Sequence, residues 1–389
     1  MMRILVAPDK FKGSLGAAAV AENIAAGLRE VLPRARIELA PVADGGEGTA
    51  DIICAALQGN WIECDAHDSL GRKIKTHYCW IESRNLAVME MSEAAGLRSM
   101  ALDERDAMRA TTFGVGEMLL DAAKRGAGQI IIGLGGSGTN DGGFGMARAL
   151  GFRFFAQNDR EHEHEHELRG AVSELVKLSR IERPNDLMLP RITAAADVKN
   201  HLLGKHGATR VFAPQKGANR DEIELLERTL TNLADTVARE FNCDFRDMPG
   251  AGAAGGLGFG LLSFCGATMR SGFDVVAEEI QLKKAIQQAD VIVTGEGSLD
   301  SQTLQGKAPA GVARLAREHG KRVFAIVGRT SDERGVRELF DGIYELMHVG
   351  MPLEESIDRT VELVREKARE FAQDLQKTSD VQRPISNVE

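Results

Sequence analysis

Arg3-Ile4-Leu5-Val6-Ala7-Pro8-Asp9-Lys10-Phe11-Lys12-Gly13-Ser14 begins with a compact apolar run that stops at a Pro-Asp pair and leads into an Ala-rich stretch reaching about residue 32. The pattern predicts strand, loop and helix, with Ser14 as a candidate N-cap. A second strand near residues 37–42 enters the loop Ala43-Asp44-Gly45-Gly46-Glu47-Gly48-Thr49, and residues 50–57 read as helix again. This βαβα opening predicts a parallel sheet.

Further along, the alternation in Lys73-Ile74-Lys75-Thr76-His77-Tyr78 and the punctuation at Ser83-Arg84-Asn85 predict antiparallel hairpins between Trp61 and Met91. Residues 112–125 suit a helix, followed by the apolar Ile130-Ile131-Ile132, a glycine loop and a short helix over 141–150. Between 221 and 241, Ile223, Leu226, Leu230, Leu233, Val237 and Phe241 fall in steps of three and four, the mark of a helix with one apolar face. Strand and helix alternation resumes after Asp290, over 291–294, 311–319, 323–327 and 353–371; the polar tail after Gln376 is expected to fray. The fold class is therefore α/β: a parallel-sheet, Rossmann-like domain built from both chain ends, residues 1–66 plus 275–389, with a second α/β domain, residues 67–274, inserted. The active site is expected in the cleft between them.

A length of 389 residues suits two domains, at roughly 100 to 200 residues each. The 43% hydrophobic and 27% charged content is that of an ordinary globular protein. A net charge of −9, with no long Lys/Arg run, argues against nucleic acid or anionic lipid as partner. The five cysteines form no CxxC pair and give neither a zinc pattern nor a disulfide framework, and the opening apolar run is too short for a signal or membrane segment. A cytoplasmic protein is expected; a homo-oligomer is left open. The chain has 42 glycines, bunched between apolar runs where a backbone would approach a ligand.

The loop Pro8-Asp9-Lys10-Phe11-Lys12-Gly13 sets an acid and two lysines at a strand end before a helix, a place where ligands bind in open α/β sheets, though a solvated turn has the same composition. Asp44-Gly45-Gly46-Glu47-Gly48-Thr49 offers two carboxylates suited to magnesium beside a freed backbone; a tight turn capped by Thr49 is the plainer reading. Gly133-Leu134-Gly135-Gly136-Ser137-Gly138 satisfies GxGxxG after a strand, with Asp159 about 20 residues on, so a dinucleotide fold competes. That fingerprint leaves the polar continuation Thr139-Asn140-Asp141 unexplained, whereas a phosphate and metal cradle needs such groups. Gly306-Lys307-Ala308 lacks the rest of a Walker A loop. Charges also end the apolar runs before Ala196-Asp197-Val198-Lys199-Asn200 and before Gly295-Glu296-Gly297-Ser298-Leu299-Asp300, and Lys216 lies in Pro214-Gln215-Lys216-Gly217. Residues 249–258, PGAGAAGGLG, suit a close-packed helix start as well as a site. His162, His164 and His166 alternate with glutamates and read as a solvated loop rather than a metal site.

The blocks APDKFKGSL, PVADGGEGT, SEAAGL, TTFGVGE, IIIGLGGSGTNDGG, ADVKN, PQKGA, PGAGAAGGLG and GEGSLDSQTLQGK, in this order over about residues 2 to 375, resemble the type I glycerate kinase family, of glycerate 2-kinase type. The sequence departs from that pattern at Gly138, where Ala is frequent, at His201, where Pro is usual, and at Ala213, where Gly is usual. The resemblance implies transfer of the ATP γ-phosphoryl group to D-glycerate with Mg2+, in many members giving 2-phosphoglycerate. Phosphoryl transfer needs positioning, charge stabilisation and an acid that takes or orients the hydroxyl proton. On this reading Asp197 is the base and Lys12 a second catalytic residue. Gly135, Gly136, Ser137, Thr139, Asn140, Lys216 and Lys307 meet nucleotide and phosphate. Asp9, Lys10, Gly45 and Gly46 meet substrate, while Asp44, Glu47, Asp141, Glu296 and Asp300 compete for the metal. The alternatives are a dinucleotide-dependent oxidoreductase using Gly133, Gly135, Gly138 and Asp159, and a non-catalytic anion binder.

Overall fold

The structure, a computed structural model, describes residues 1–156, 166–300, 303, 307–331, 334–348 and 350–381. Its strands are Arg3–Val6 (β1), Arg36–Leu39 (β2), Asn60–His67 (β3), Lys73–Ile81 (β4), Leu86–Glu90 (β5), Gln129–Gly133 (β6), Arg153–Ala156 (β7), His166–Glu167 (β8), Leu178–Glu182 (β9), Arg191–Ala195 (β10), Thr268–Arg270 (β11), Val291–Thr294 (β12), Ser298–Leu299 (β13), Arg322–Val327 (β14), Arg329–Thr330 (β15) and Gly342–Glu345 (β16). Contacts divide the chain into one unit of residues 1–44 and 273–389 and another of residues 45–272.

In the first unit β1 lies between β2 and β12, and the sheet continues through β14 to β16, every pair parallel. Counted along the unit, this is the succession 2-1-3-4-5 of a doubly wound sheet. The opening run is apolar throughout because both faces of β1 are covered. Ile4 and Val6 pack into the core with the helices Ala17–Val31 and Thr360–Val381, whereas Leu5 and Ala7 pack with Ala308–Glu318. Both chain ends thus build one sheet. The first helix starts at Ala17 after Gly16, so Ser14 is not its cap; the Ser14 hydroxyl donates to Ile357 O at 3.3 Å instead. The last helix runs past Gln376 to Val381, beyond the expected fraying point.

The inserted unit holds a six-stranded sheet in the order β11-β10-β6-β5-β4-β3. The first four strands are parallel, while β5-β4-β3 forms the antiparallel hairpins that the alternating residues predict. A small antiparallel sheet, β8-β7-β9, stands apart in sequence order. The helix Arg220–Phe241 buries Leu226, Leu230, Leu233 and Val237, and Asn219 with Glu222 forms a capping box that fixes its start. The expected division at 66/67 differs from the contact division at 44/45, because the helix Thr49–Leu57 packs on β4 and β5 and β3 pairs along its length with β4. Among the described residues no helix is long and apolar enough to cross a membrane.

Candidate active site

In the inserted unit the buried Ile130, Ile131 and Ile132 hold β6 between β5 and β10, so the glycine loop leaves from the carboxyl edge of parallel strands. That edge is where open α/β sheets bind ligands. Lys216, in the short turn Pro214–Lys216, is only 1% exposed, and its Nζ donates to Ser137 Oγ at 2.8 Å and to Thr139 O at 2.6 Å. Burial lowers its pKa to about 7, and the nearby Asp141 resists that shift. Asn140 Nδ2 donates to Thr209 Oγ1 at 3.0 Å, but Asn140 Oδ1 and Thr139 Oγ1 are buried without a hydrogen-bond partner among the described residues. Unmet buried polar atoms cost about 1–3 kcal/mol each, so a ligand or an ordered water at these two atoms would be favourable.

Two glycines shape this loop. Gly136 has φ +74°, a conformation that a side chain opposes, and a Cβ on Gly135 would stand 2.3 Å from Gly46 Cα. Gly135 N also donates to Gly45 O at 3.2 Å, so the segment 45–48 lies against the nucleotide-loop candidate. Beyond the end of β10, Asp197 Oδ1 accepts from Ser271 Oγ at 3.0 Å and from Gly272 N at 2.8 Å, which orients the carboxylate. Glu47 pairs with Arg98.

Asp141 behaves differently from the expected metal candidate. Its carboxylate accepts from Thr112 N at 2.8 Å, Thr112 Oγ1 at 2.9 Å, Gly143 N at 3.1 Å and Gly145 N at 3.1 Å. Burial raises its pKa while these donors lower it. Both oxygens are taken up, which favours an anchoring role over a metal one. The segment 249–258 packs onto the same loop, where Gly142 N donates to Gly255 O at 3.1 Å; this supports the packing reading of those glycines.

In the first unit, Asp9 N donates to Gly295 O at 2.8 Å, which ties the loop after β1 to the loop after β12 at the sheet's switch point. Asp9 and Glu296 are 5% and 7% exposed. Burial, then Asp44, raises the Asp9 pKa to about 7 against the pull of Lys10, and Glu296 adds to the rise. Glu296 likewise rises to about 7 through burial, with Lys307 and Thr303 opposing and Asp300 and Asp44 adding. Lys10 Nζ is 3.9 Å from Asp44, and Lys307 Nζ is 3.8 Å from Glu296 and 3.9 Å from Asp300. Thr303 Oγ1 donates to Glu296 Oε1 at 2.8 Å. Lys12 is exposed.

The structure therefore gathers Asp9, Lys10, Asp44, Glu296, Asp300 and Lys307 on one unit. Gly45, Gly46, Gly135, Gly136, Ser137, Thr139, Asn140, Asp197 and Lys216 lie on the other. Asp9, read from sequence as a substrate residue, joins the acidic group. Among the described residues no three acid, histidine or cysteine side chains form a ready-made metal cage. Magnesium needs only one or two protein carboxylates with phosphate oxygens, and crowded carboxyls whose charge is disfavoured fit a divalent cation.

Sequence reasoning missed Glu90. It ends β5, is 5% exposed, and accepts from Ala50 N at 2.9 Å. Burial raises its pKa to about 7 while the amides of Ala50 and Gly48 resist. A lone charge closing the apolar run Leu86-Ala87-Val88-Met89 was the available signal. His162, His164 and Asp159 lie outside the described residues; His166 belongs to β8 and pairs with Ala156.

The family model of the glycerate kinase family matches residues 4–376. A glycerate kinase of Bacillus subtilis (strain 168) is 38% identical over 373 residues, covering 95% of this chain and 97% of that protein. A glycerate 2-kinase of Escherichia coli (strain K12) is 39% identical over 335 residues, covering 86% and 87%. A crystal structure of a Salmonella typhimurium LT2 protein assigned as glycerate kinase 2 is similar with TM-score 0.83 and 36% identity, over 97% of this chain and 99% of that one. Such matches leave the GxGxxG pattern at Gly133 without its dinucleotide meaning, in keeping with Gly138, which packs against Met100. With its glycine loops, buried lysine and acidic strand ends accounted for along nearly its whole length, the chain belongs to the glycerate kinase family.

Proposed function

We propose that this kinase transfers the γ-phosphoryl group of ATP to D-glycerate, giving 2-phosphoglycerate and ADP with Mg2+ present. The supporting observation is the buried Lys216 beneath a polar glycine loop, on the parallel-strand edge that also leads to the oriented Asp197. Phosphoryl transfer is mainly positioning and charge stabilisation, which these groups suit.

On this reading the backbone from Gly135 to Asn140, with Ser137 and Thr139, cradles nucleotide phosphates, and Lys216 supplies positive charge below it. Asp197, turned by Ser271 and Gly272, accepts the proton of the attacking glycerate hydroxyl. Lys10, Gly45 and Gly46 hold glycerate, and Lys12 and Lys307 balance carboxylate or phosphate charge. Asp9, Asp44, Glu296 and Asp300 would hold magnesium, with Glu47 a further candidate. Magnesium held by these carboxylates would neutralise phosphate charge. The five cysteines are free thiols, which suits a cytoplasmic setting.

The test is to incubate the protein with ATP, magnesium and D-glycerate, follow ADP, and identify the product by phosphorus NMR. The proposal expects ADP and 2-phosphoglycerate in equal amounts. Absence of glycerate-dependent ADP overturns the activity, and 3-phosphoglycerate as product overturns the regiochemistry alone.

A further inference from the structure

Glu90 is a buried carboxylate that the proposed chemistry leaves unused. The register of β5 against β6 sets it opposite Gly133, the residue from which the glycine loop departs, and a Cβ on Gly133 would lie 3.7 Å from Glu90 Cγ. Its Oε1 accepts from Ala50 N at 2.9 Å, and its Oε2 accepts from Ser92 Oγ at 3.4 Å. Ala50 lies in the first turn of the helix Thr49–Leu57. A helix start attracts anions. Here the protein supplies its own, so this N-terminus is filled and is not a phosphate seat.

The clamp also fixes what precedes the helix. Thr49 Oγ1 donates to Gly46 O at 2.6 Å, and Gly45 O accepts from Gly135 N at 3.2 Å. A Cβ on Gly45 would meet Ala195 O at 2.7 Å, so the segment lies across the ends of β6 and β10 with little room to shift. We infer that Glu90 is a positioning residue that holds the 45–48 segment in its glycerate-binding place through the amide of Ala50, in the helix that this segment leads into. This rests on the proposed role of Gly45 and Gly46 as acceptor-binding residues.

Glu90→Ala and Glu90→Gln test it. KM is measured separately for D-glycerate and ATP, and amide hydrogen exchange of the segment 45–57 is followed without substrates. Losing hydrogen bonds to a charged group should raise the glycerate KM of Glu90→Ala about tenfold or more, with the ATP KM within about twofold. Glu90→Gln keeps one acceptor and should recover most of that loss. Exchange over 45–57 should quicken in Glu90→Ala while the rest of the chain stays protected. Unchanged exchange there overturns the clamp. With exchange quickened, equal KM changes for both substrates, or a Gln variant no better than Ala, overturn the positioning role. If Glu90→Ala does not fold, Glu90→Ser, which removes the carboxylate but leaves a small polar side chain, decides in its place: exchange quickened over 45–57 supports the clamp and wild-type exchange overturns it. Because exchange needs no turnover, failure of the glycerate assignment is distinguishable from failure of the clamp.

Discussion

Lys216 carries its ammonium beneath the glycine loop with Ser137 Oγ and Thr139 O as partners, and burial brings its pKa from 10.5 down to about 7. The sign of the effect on stability follows from proton counting. Between about pH 7 and 10.5 the unfolded chain binds more protons at this lysine than the folded one, so stability rises with pH across that window. Below about pH 7 both states are protonated and the cost of burying the charge is fully present. Thermal unfolding of the native chain and of Lys216→Met should therefore diverge with pH. The native chain gains stability relative to the variant from pH 7 to pH 9, and a difference that does not change with pH would show that the lysine is not shifted by burial. Anionic phosphate above this residue would favour its charged form, which is how a lysine costly to bury can serve a nucleotide.

At the scale of elements, the turn from β6 into the helix Phe144–Ala149 combines a half that the proposed function turns toward nucleotide with a half that anchors the loop. Gly136, at φ +74°, belongs to the first, and Asp141, taking amides of Thr112, Gly143 and Gly145, belongs to the second. The two halves should fail differently. Gly136→Val forces a β-branched residue into a left-handed conformation, and calorimetry should show weakened ATP binding by a protein that still folds. Asp141→Ala leaves several buried amides without an acceptor, at about 1–3 kcal/mol each, so its melting temperature should fall whether or not magnesium is present. A deficit of Asp141→Ala relative to the native chain that appears only with magnesium present would return Asp141 to the metal ligands. The helix Arg220–Phe241 needs no such test, since its apolar stripe and the Asn219-to-Glu222 capping box account for it locally.

At the scale of the molecule, each unit presents its charged groups at the ends of parallel strands. Asp9 and Glu296 follow β1 and β12, and Asp197 and the glycine loop follow β10 and β6. The proposed function assigns roles to both sets, so a substitution in either set is expected to impair turnover. Asp197→Asn should lower turnover about 100-fold or more with the fold intact, the usual contribution of a proton acceptor. Glu296→Gln should raise the magnesium concentration that gives half-maximal turnover. Normal turnover in Asp197→Asn would remove it as base, and an unchanged magnesium requirement in Glu296→Gln would move the ion to other carboxylates.

The sequence by itself determined the parallel sheet, the hairpins before Met91 and the principal glycine loops. Those depend on local pattern: apolar runs such as 130–132, alternation such as 73–78, and glycine clusters at strand ends. The order of the loops sufficed for the family. Only the tertiary structure decided which charges stand together, because carboxylates and lysines interact through space regardless of sequence distance. Asp9 and Glu296 are remote in the chain, yet the pairing of β1 with β12 brings their loops together. Asp141, a metal candidate by its place in the sequence, takes donors from Thr112, Gly143 and Gly145 that only the fold brings to it, and Glu90 drew no notice because its partner Ala50 comes from a different strand-end loop. Short-range pattern determines elements; the environment of a buried charge is set by whatever the fold packs around it.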